Sequence, residues 1–440
     1  MGVLTQAAQL ILSLSILVVM HELGHFIPSK LFKTRVEKFY LFFDPWFSLF
    51  KFKKGDTEYG LGWLPLGGYV KISGMIDESL DKEQMKLPPQ DWEFRSKPAW
   101  QRLIIMLGGV TVNVLLAMAI FAMVLCVWGE EYLPAKNATY GVACDSLAYQ
   151  MGLKDGDKVL SVDNKPIESI DRVFGDVLIN KAKSIQVERD GQKVEISVTD
   201  DDLSEMIRGK FHLVQARYPL DIIAVSPSNP AAEAGIQVGD RVVSVANTPT
   251  PYRQDVTKVL QNNRNLMVDI GVLRGKDTLM KKLTVSEAGT IGVGINTDVR
   301  KYFQTQVIHY SFLESIPAGI SKTQETTISY LKQIKVMFTV KGAAKEAGGF
   351  LSIGKAYNTS WDWQSFWAFT AFLSIMLAVV NLLPIPALDG GHVVFLIYEI
   401  ITRRKPHEKV MEYAQYAGMI ILLALILFTN GNDIIRLFSK

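Results

Sequence analysis

One motif in the first apolar segment constrains this chain more than any other feature. His21, Glu22 and His25 form an H-E-x-x-H pattern. It directly follows residues 10–20, which contain no ionisable side chain. An ionised group at the bilayer centre costs roughly 2.5–3.5 kcal/mol on insertion scales, so such a cluster needs a compensating partner. Residues four apart share one helix face, so the two histidines can bind one Zn²⁺ and the glutamate can take a proton from a nearby water. The motif predicts a metal site at membrane depth.

The composition excludes several other classes of protein. Hydrophobic residues make up 48% of the 440 residues, and the net charge of +3 is too small to indicate a nucleic-acid partner. The two cysteines, Cys126 and Cys144, fall inside and outside an apolar span, so no disulfide is expected. Residues 1–20 lack a basic start and a small-residue cleavage site, so we expect a retained membrane span rather than a signal peptide.

Four segments are long and apolar enough to cross a membrane as helices, which requires about 20 residues each. They are residues 4–27, 103–128, 366–383 and 413–428. Lysines and arginines gather after the first span, before the second and after the third, and these flanks are therefore expected to be cytoplasmic. Both termini and the long segment after the second span are then expected on the opposite side. Pro28 predicts that the first helix ends or kinks just after the histidines, which places the metal site towards the cytoplasmic side.

The long outer segment contains a duplication. Residues 151–162 match residues 234–245, 83 positions later, with the shared pattern G-Φ-x-x-G-D-x-Φ, in which Φ is apolar. A hairpin signal follows each copy. The pattern resembles PDZ domains, and we expect two of them, at 130–215 and 216–298. PDZ domains bind extended peptides at a sheet edge, and rigid spacers over the membrane site are the alternative.

A zinc site with two histidines needs a third protein ligand and an open position. Near the third span, Asn381 begins the sequence N-L-L-P-I-P-A-L-D-G-G-H, which contains Asp389 and His392. Its prolines and glycines interrupt a helix, which is tolerated at membrane depth only where the backbone lines a cavity or is buried in protein. Asp389 is the favoured third ligand and His392 is the competing one.

The combination of motifs resembles the site-2 proteases, and within them the bacterial RseP-type regulated intramembrane zinc metalloproteases with tandem PDZ domains. The resemblance rests on H-E-L-G-H in the first span, on the L-D-G-G-H sequence and on the duplication between the second and third spans. It implies Zn²⁺ held by His21, His25 and Asp389, with Glu22 as the general base. It also implies that Asn381 helps to hold the substrate backbone.

The second span departs from the pattern of these proteases. Residues 109–113 read G-V-T-V-N, with Val110 at the position where G-P-x-x-N has proline. Asn113 is present, and the resemblance gives it a substrate-binding role. An interhelical hydrogen bond is the alternative, because asparagine commonly makes one inside membranes.

Two further elements are predicted outside the spans. Residues 57–73 are rich in glycine and β-forming residues and predict a β-hairpin at the membrane surface, which either offers an edge strand to substrate or seals the helix bundle. Residues 312–339 predict an amphipathic helix that lies on the outer membrane surface or braces the PDZ pair, the bracing role being favoured.

These predictions define one architecture. It is a multi-span α-helical membrane protein with four transmembrane helices, two inserted α+β PDZ domains and a membrane-associated β-hairpin. Its expected parts are residues 1–129 and 363–440 for the membrane core, with an L-D-G motif at 388–390, and a linker at 299–362.

The resemblance also implies a function and a location. The expected activity is cleavage of pre-trimmed, single-span membrane proteins of the anti-sigma factor type, or of signal-peptide remnants, in a bacterial inner membrane. Both termini and the PDZ domains are then expected to be periplasmic. The expected partners are these substrates and the lipid bilayer, and no nucleic acid. A catalytically inactive PDZ membrane scaffold is the alternative.

Overall fold

The computed structural model describes residues 2–65, 67–75, 88–208, 212–227, 229–340 and 342–438. Elements are labelled in chain order within these residues. The α-helices are α1 (Gly2–Leu31), α2 (Ala99–Trp128), α3 (Ser146–Met151), α4 (Val173–Asn180), α5 (Asp200–Arg208), α6 (Pro230–Glu233), α7 (Arg253–Asn262), α8 (Phe312–Thr339), α9 (Phe350–Lys355), α10 (Trp363–Asn381), α11 (Asp389–Thr402) and α12 (Glu408–Phe438).

The strands are short except in the first sheet and in one hairpin. They are β1 (Val36–Leu41), β2 (Phe43–Lys54), β3 (Thr57–Leu64), β4 (Tyr69–Ile72), β5 (Glu130–Tyr132), β6 (Val142–Cys144), β7 (Lys158–Val162), β8 (Lys165–Pro166), β9 (Ser184–Arg189), β10 (Gln192–Ser197), β11 (Val214–Ala216), β12 (Leu220–Val225), β13 (Arg241–Val245), β14 (Thr248–Pro249), β15 (Met267–Arg274), β16 (Asp277–Thr284), β17 (Val293–Ile295) and β18 (Gln306–Ile308).

The chain divides into two compact units. The membrane unit consists of Met1–Glu130, His309–Met337 and Ala344–Lys440. The sheet unit consists of Glu131–Ile308 and Phe338–Ala343. The membrane unit is thus built from segments before and after the sheet unit in sequence, as expected for a domain inserted between two spans.

Four helices of the membrane unit are long and apolar enough to cross a membrane. They are Gly2–Leu31, Ala99–Trp128, Trp363–Asn381 and Lys409–Arg436, in the described part of the chain. The first helix does not end at Pro28 but continues to Leu31. The third ends at Asn381, two residues before its predicted end, because Pro384 disfavours the helical conformation of the residue before it.

The predicted hairpin at 57–73 is wrong. Its strands, β3 and β4, lie in one sheet with the order β2-β3-β1-β4, so β1 separates them. β3 runs parallel to β1 and antiparallel to β2, whereas β4 is antiparallel to β1. The sequence indicated the strands but not their pairing, because β1 comes from residues that precede the predicted hairpin. Among the described residues, β4 is an edge strand of this sheet.

The predicted amphipathic helix is α8, and it packs by its small side chains. Ser315, Gly319 and Thr323 are one turn apart and are buried or closely packed. A Cβ placed on Gly319 would lie 2.6 Å from the backbone nitrogen of Ala122 in α2. Ile316, Ile320 and Ile328 on the same helix remain exposed. Helix α8 therefore braces α2 within the membrane unit, and its apolar face points away from that contact.

The duplication predicted from the sequence recurs in the sheet unit with its offset intact. Strands β7 and β8 correspond to β13 and β14, each shifted by 83 residues. Pairing of β7 with β9 shifts register between Val159 and Ser161, and pairing of β13 with β15 does so between Val242 and Ser244. In both copies the partner of that strand also pairs with the next strand along the chain. β9 pairs with β10, and β15 pairs with β16.

Each copy surrounds its own apolar core. The first core includes Leu153, Val187 and Phe303, and the second includes Ile236 and Ile270. Phe303 lies in the segment predicted as linker, yet it is buried in the first core. The chain therefore returns to the first copy after completing the second.

In each copy a buried aspartate lies directly before a strand, Asp157 before β7 and Asp240 before β13. Asp157 accepts hydrogen bonds from Nε and Nη2 of Arg189 at 2.8 and 2.7 Å, and from the backbone N–H of Lys154 at 2.8 Å. Asp240 accepts the same pair from Arg274, both at 2.8 Å, and one from the N–H of Gln237 at 2.9 Å. These are the aspartates of the repeated Gly-Asp pair, so their presence in both copies has a structural explanation.

Candidate metal centre

Glycines let helices α1 and α2 cross closely at the H-E-x-x-H motif. Gly24 lies against the backbone of Gly108, and a Cβ on either residue would collide with the other. A Cβ on Gly109 would lie 2.5 Å from both His21 Cε1 and His25 Nε2. Small residues allow such approach between membrane helices. Here they make room for two imidazole rings between the helices.

The loop between α10 and α11 brings the third ligand to the same place. It contains Pro384 and Pro386, and Ala387 adopts a positive φ of 82° before α11 begins at Asp389. The backbone N–H of Ala387 donates to Gln415 Oε1 of α12 at 3.2 Å. The carboxylate thus stands in the first turn of α11, where the helix dipole favours negative charge.

Three ligand atoms converge with the spacing of a tetrahedral zinc site. His21 Nε2 and His25 Nε2 are 3.3 Å apart, and each is 3.4 Å from Asp389 Oδ2. Bonds of about 2.0–2.1 Å at tetrahedral angles place neighbouring ligand atoms about 3.3–3.4 Å apart. Among the described residues, these three form the group of His, Cys, Asp and Glu side chains able to hold one ion.

The surroundings of the ligands also fit a metal. Their side chains are only 9–15% exposed. Asp389 Oδ2 is buried, and no described residue donates a hydrogen bond to it. Such burial is costly for a carboxylate unless a cation binds it. His25 Nδ1 lies 2.8 Å from the carbonyl oxygen of Ile105. A proton on Nδ1 leaves Nε2 free to bind a metal, which is the arrangement that metal-ligating histidines usually show.

A cavity of about 550 Å³ opens onto the three ligands. Glu22 and Asn381 line it together with the ligands. Asn381 Nδ2 is 3.3 Å from His21 Nε2, on the side of the ring that faces the ligand group. Strand β4, residues Tyr69–Ile72, forms another part of its wall. The cavity therefore combines a metal-binding group, a carboxylate, an amide and the backbone of an edge strand.

The other two residues named from the sequence take different places. His392 lines the cavity but does not belong to the group of three ligand atoms, so the geometry favours Asp389. Asn113 is fully buried and does not line the cavity; its Nδ2 is 3.1 Å from His21 Nδ1. This contact joins α2 to α1 and matches the interhelical alternative. A substrate contact for Asn113 has no support in this geometry.

Three contributors to the site were missed by sequence reasoning. Gly24 and Gly108 could have been noticed as small residues in apolar spans, the usual signal for close helix packing. The Ile105 carbonyl has no signal in the sequence, because any residue supplies one.

Comparison with known proteins identifies the family. The sequence pattern described as peptidase family M50 matches residues 9–425, nearly the whole chain. The chain belongs to this family. Its relatives include a protein named "Putative zinc metalloprotease" from Treponema pallidum, 28% identical over 97% of this chain and 98% of its own length. A protein named "Regulator of sigma E protease" from Haemophilus influenzae is 27% identical over 99% of this chain and all of its own length.

Family M50 membership confirms the resemblance drawn from the motifs, and this M50 chain is a metalloprotease of the site-2 type. The match includes all four helices that are able to cross a membrane, at least in part, and the whole sheet unit. The ligand group and the cavity described above lie within it.

Proposed function

We propose that the chain is an intramembrane zinc protease whose metal is held by His21, His25 and Asp389. The observation that carries the proposal is the triangle of ligand atoms, 3.3–3.4 Å on each side, beside a carboxylate in a cavity between apolar helices. When bound, Zn²⁺ supplies a Lewis acid that polarises the scissile carbonyl and acidifies water. Relatives named as zinc metalloproteases support this choice of metal.

Glu22 is the proposed general base. It follows His21 directly on α1 and lines the same cavity. It takes a proton from the attacking water as the oxygen adds to the carbonyl carbon, and passes it to the leaving nitrogen as the C–N bond breaks. The products are a new carboxyl terminus and a new amino terminus.

The proposed substrate is a single membrane span, unwound at the scissile bond. A helical peptide bond is hidden by its own hydrogen bonds, so the segment must become extended before attack. β4 lines the cavity and is an edge strand among the described residues, so it can pair with an extended segment. Asn381, beside His21 Nε2, is placed to donate to the substrate backbone.

The identity of the substrates is proposed from the relatives. The name "Regulator of sigma E protease" favours a pre-trimmed anti-sigma factor as the substrate, with signal-peptide remnants as a second class. It also favours the bacterial inner membrane as the location. The basic flanks of the spans favour a periplasmic sheet unit and periplasmic termini, with the metal centre towards the cytoplasm.

The two copies in the sheet unit are proposed to be PDZ domains that exclude substrates with bulky outer domains. The repeated strand pairing and the two separate cores support this. Deletion of Glu131–Ile308, which includes Phe303 of the first core, should allow cleavage of single-span proteins that retain their outer domain. Unchanged discrimination between trimmed and untrimmed substrates would instead support the spacer role.

The decisive variant for the activity is Glu22→Gln. Loss of a general base lowers a rate by roughly 10²–10⁴-fold, while the three metal ligands remain. We expect bound zinc to be retained and cleavage of a membrane-embedded reporter span to fall by at least the lower of these factors. The matched control is Glu346→Gln, the same change at a half-exposed residue that does not line the cavity.

Full cleavage by Glu22→Gln would overturn the assignment of the base. A wild-type protein that binds zinc yet cleaves no membrane span would support the alternative of an inactive scaffold.

A further inference from the structure

The two ring nitrogens of His21 face different asparagines. Nε2 belongs to the ligand triangle and is 3.3 Å from Asn381 Nδ2. Nδ1 points away from the triangle and is 3.1 Å from Asn113 Nδ2. A neutral imidazole carries its one proton on one nitrogen and accepts on the other. A histidine that binds a metal through Nε2 must therefore carry its proton on Nδ1, on the side of Asn113.

Asn113 is held rigidly at that position. Its side chain is fully buried in α2, and its backbone carbonyl accepts a hydrogen bond from Ser374 Oγ of α10 at 2.7 Å. Its Oδ1 is buried and has no hydrogen-bond partner among the described residues. A half-turn of the amide group exchanges Oδ1 with Nδ2 and places an acceptor beside His21 Nδ1. That exchange also gives the buried oxygen the partner that it otherwise lacks.

We propose that Asn113 is a positioning residue that accepts a hydrogen bond from His21 Nδ1–H through Oδ1. This bond fixes the tautomer and the plane of the His21 ring, so that Nε2 is presented to the metal. The Ile105 carbonyl does the same for His25 at 2.8 Å. The inference rests on the proposed zinc site, but it assigns Asn113 to the metal ligand rather than to the substrate.

The spacing along α2 explains why both groups are available. Gly109 and Asn113 are four residues apart and share one face of the helix. Gly109 leaves the space in which the rings of His21 and His25 lie, and Asn113 closes that space one turn later. The carbonyl of Ile105, one turn before Gly109, is on the same side. Three successive turns of α2 thus form a cradle for the two imidazoles.

The test measures zinc affinity of the full-length protein in detergent by competition with a chelator. Loss of a hydrogen-bond partner behind a ligating histidine typically lowers metal affinity by about 10–100-fold. We expect that loss in Asn113→Leu, which is similar in volume but lacks an acceptor. Asn113→Asp keeps an acceptor at the same position and should bind zinc at least as tightly as the wild type.

The matched control is Thr370→Val, which also replaces a fully buried polar side chain of the bundle by an apolar one of similar size. Thr370 Oγ1 donates to the Phe366 carbonyl in its own helix at 2.7 Å and contacts none of the three ligands, so its loss should leave zinc affinity unchanged. An affinity of Asn113→Leu equal to that of wild type would overturn the proposal. So would an Asn113→Asp protein as weak as Asn113→Leu, because the amide would then act as a donor.

A measurement on the wild type keeps the proposal testable if the leucine variant does not fold. NMR of zinc-loaded protein labelled with ¹⁵N-histidine reports which ring nitrogen of His21 is protonated. A proton on Nδ1 is expected, and a metal bound to Nδ1 would contradict the proposal. Failure of the proposed zinc site itself gives a different result, since the wild type would then bind no zinc at all, and failure of the proposed cleavage would leave zinc binding intact.

Discussion

The carboxylate of Asp389 in the membrane unit is less fully hydrogen-bonded than those of Asp157 and Asp240 in the sheet unit. In the sheet unit, Asp157 and Asp240 each accept two hydrogen bonds from an arginine and one from a backbone amide. In the membrane unit, the buried Oδ2 of Asp389 lies 3.4 Å from Nε2 of His21 and of His25, and no described residue donates a hydrogen bond to it. A buried polar group left unsatisfied costs roughly 1–3 kcal/mol, and a charged one costs more.

This difference separates aspartates that stabilise the fold from the proposed metal ligand. The aspartates of the sheet unit are completed by their own chain and stabilise the copies that contain them. Asp389 follows a proline-rich loop, and its Oδ2 lies where no described residue donates a hydrogen bond to it. The Oδ2 atom of Asp389 is buried as well, so burial of the oxygen alone would not have distinguished it. The hydrogen bonds around each carboxylate do.

The largest expected effect on zinc affinity comes from removing the carboxylate of Asp389. Loss of a hydrogen-bond partner of a metal-ligating residue lowers metal affinity by up to roughly 100-fold. Asp389→Ala removes a proposed ligand itself and should lower zinc affinity by more than that. In metal-free protein the same variant should unfold no earlier than wild type, because the change removes a buried carboxylate oxygen to which no described residue donates a hydrogen bond. Zinc competition and thermal unfolding in the presence of a chelator measure the two effects. A metal-free Asp389→Ala protein that is clearly less stable would place this residue with the aspartates that stabilise the fold.

The second effect comes from the space in which the imidazoles lie. Gly109→Ala introduces a methyl group 2.5 Å from atoms of both rings, so α1 and α2 must separate. We expect zinc affinity to fall by at least about tenfold, as it does when a ligating histidine loses its hydrogen-bond partner. Gly431→Ala in α12 is the matched control, since a Cβ there meets no atom within 4 Å. That substitution should be neutral or stabilising, by about 0.5–1 kcal/mol. Equal zinc affinity in the two variants would contradict the proposed cradle.

The smallest effect on zinc affinity is expected from a change in the sheet unit. Asp240→Asn weakens hydrogen bonds to a charged partner and should cost roughly 1.5–3 kcal/mol of unfolding free energy, with zinc affinity unchanged. The Arg274 guanidinium holds the pKa of Asp240 below its usual range, against the opposing effect of burial. A carboxyl with a lowered pKa in the folded state contributes stability at neutral pH that is lost as the pH falls through that pKa.

The pH dependence of the sheet unit therefore supplies a check on the same variant. Acid should destabilise wild type more than Asp240→Asn when unfolding is followed by denaturant titration at several pH values. Parallel pH profiles for the two proteins would show that the Asp240–Arg274 pair contributes nothing to acid sensitivity.

Local patterns in the sequence were enough to name the three residues that the structure brings together in the candidate metal centre. The H-E-x-x-H spacing fixes the relative positions of His21 and His25 on one helix. The prolines before Asp389 marked an interruption of a helix at membrane depth. The pairing of these two segments depends on contacts between distant parts of the chain. That convergence was therefore only an expectation until the structure placed the three atoms together.

Pairing between distant segments also explains what the sequence did not reveal. Strands β3 and β4 were recognisable from their composition, but the insertion of β1 between them is set by tertiary packing. The role of Asn113 depended on which side of His21 it meets, which no spacing within α2 determines. The duplication was predictable because its signal, a repeated Gly-Asp turn before a strand, is local and occurs twice.

The proposed function depends on one zinc ion held by Asp389, His21 and His25. X-ray absorption at the zinc edge of the purified full-length protein tests it directly. We expect one zinc per chain, bound by two imidazoles of the H-E-x-x-H motif and a carboxylate oxygen, with Zn–N distances of about 2.0–2.1 Å. Sulfur ligands, or the same imidazole and carboxylate signals in an Asp389→Ala protein, would contradict it.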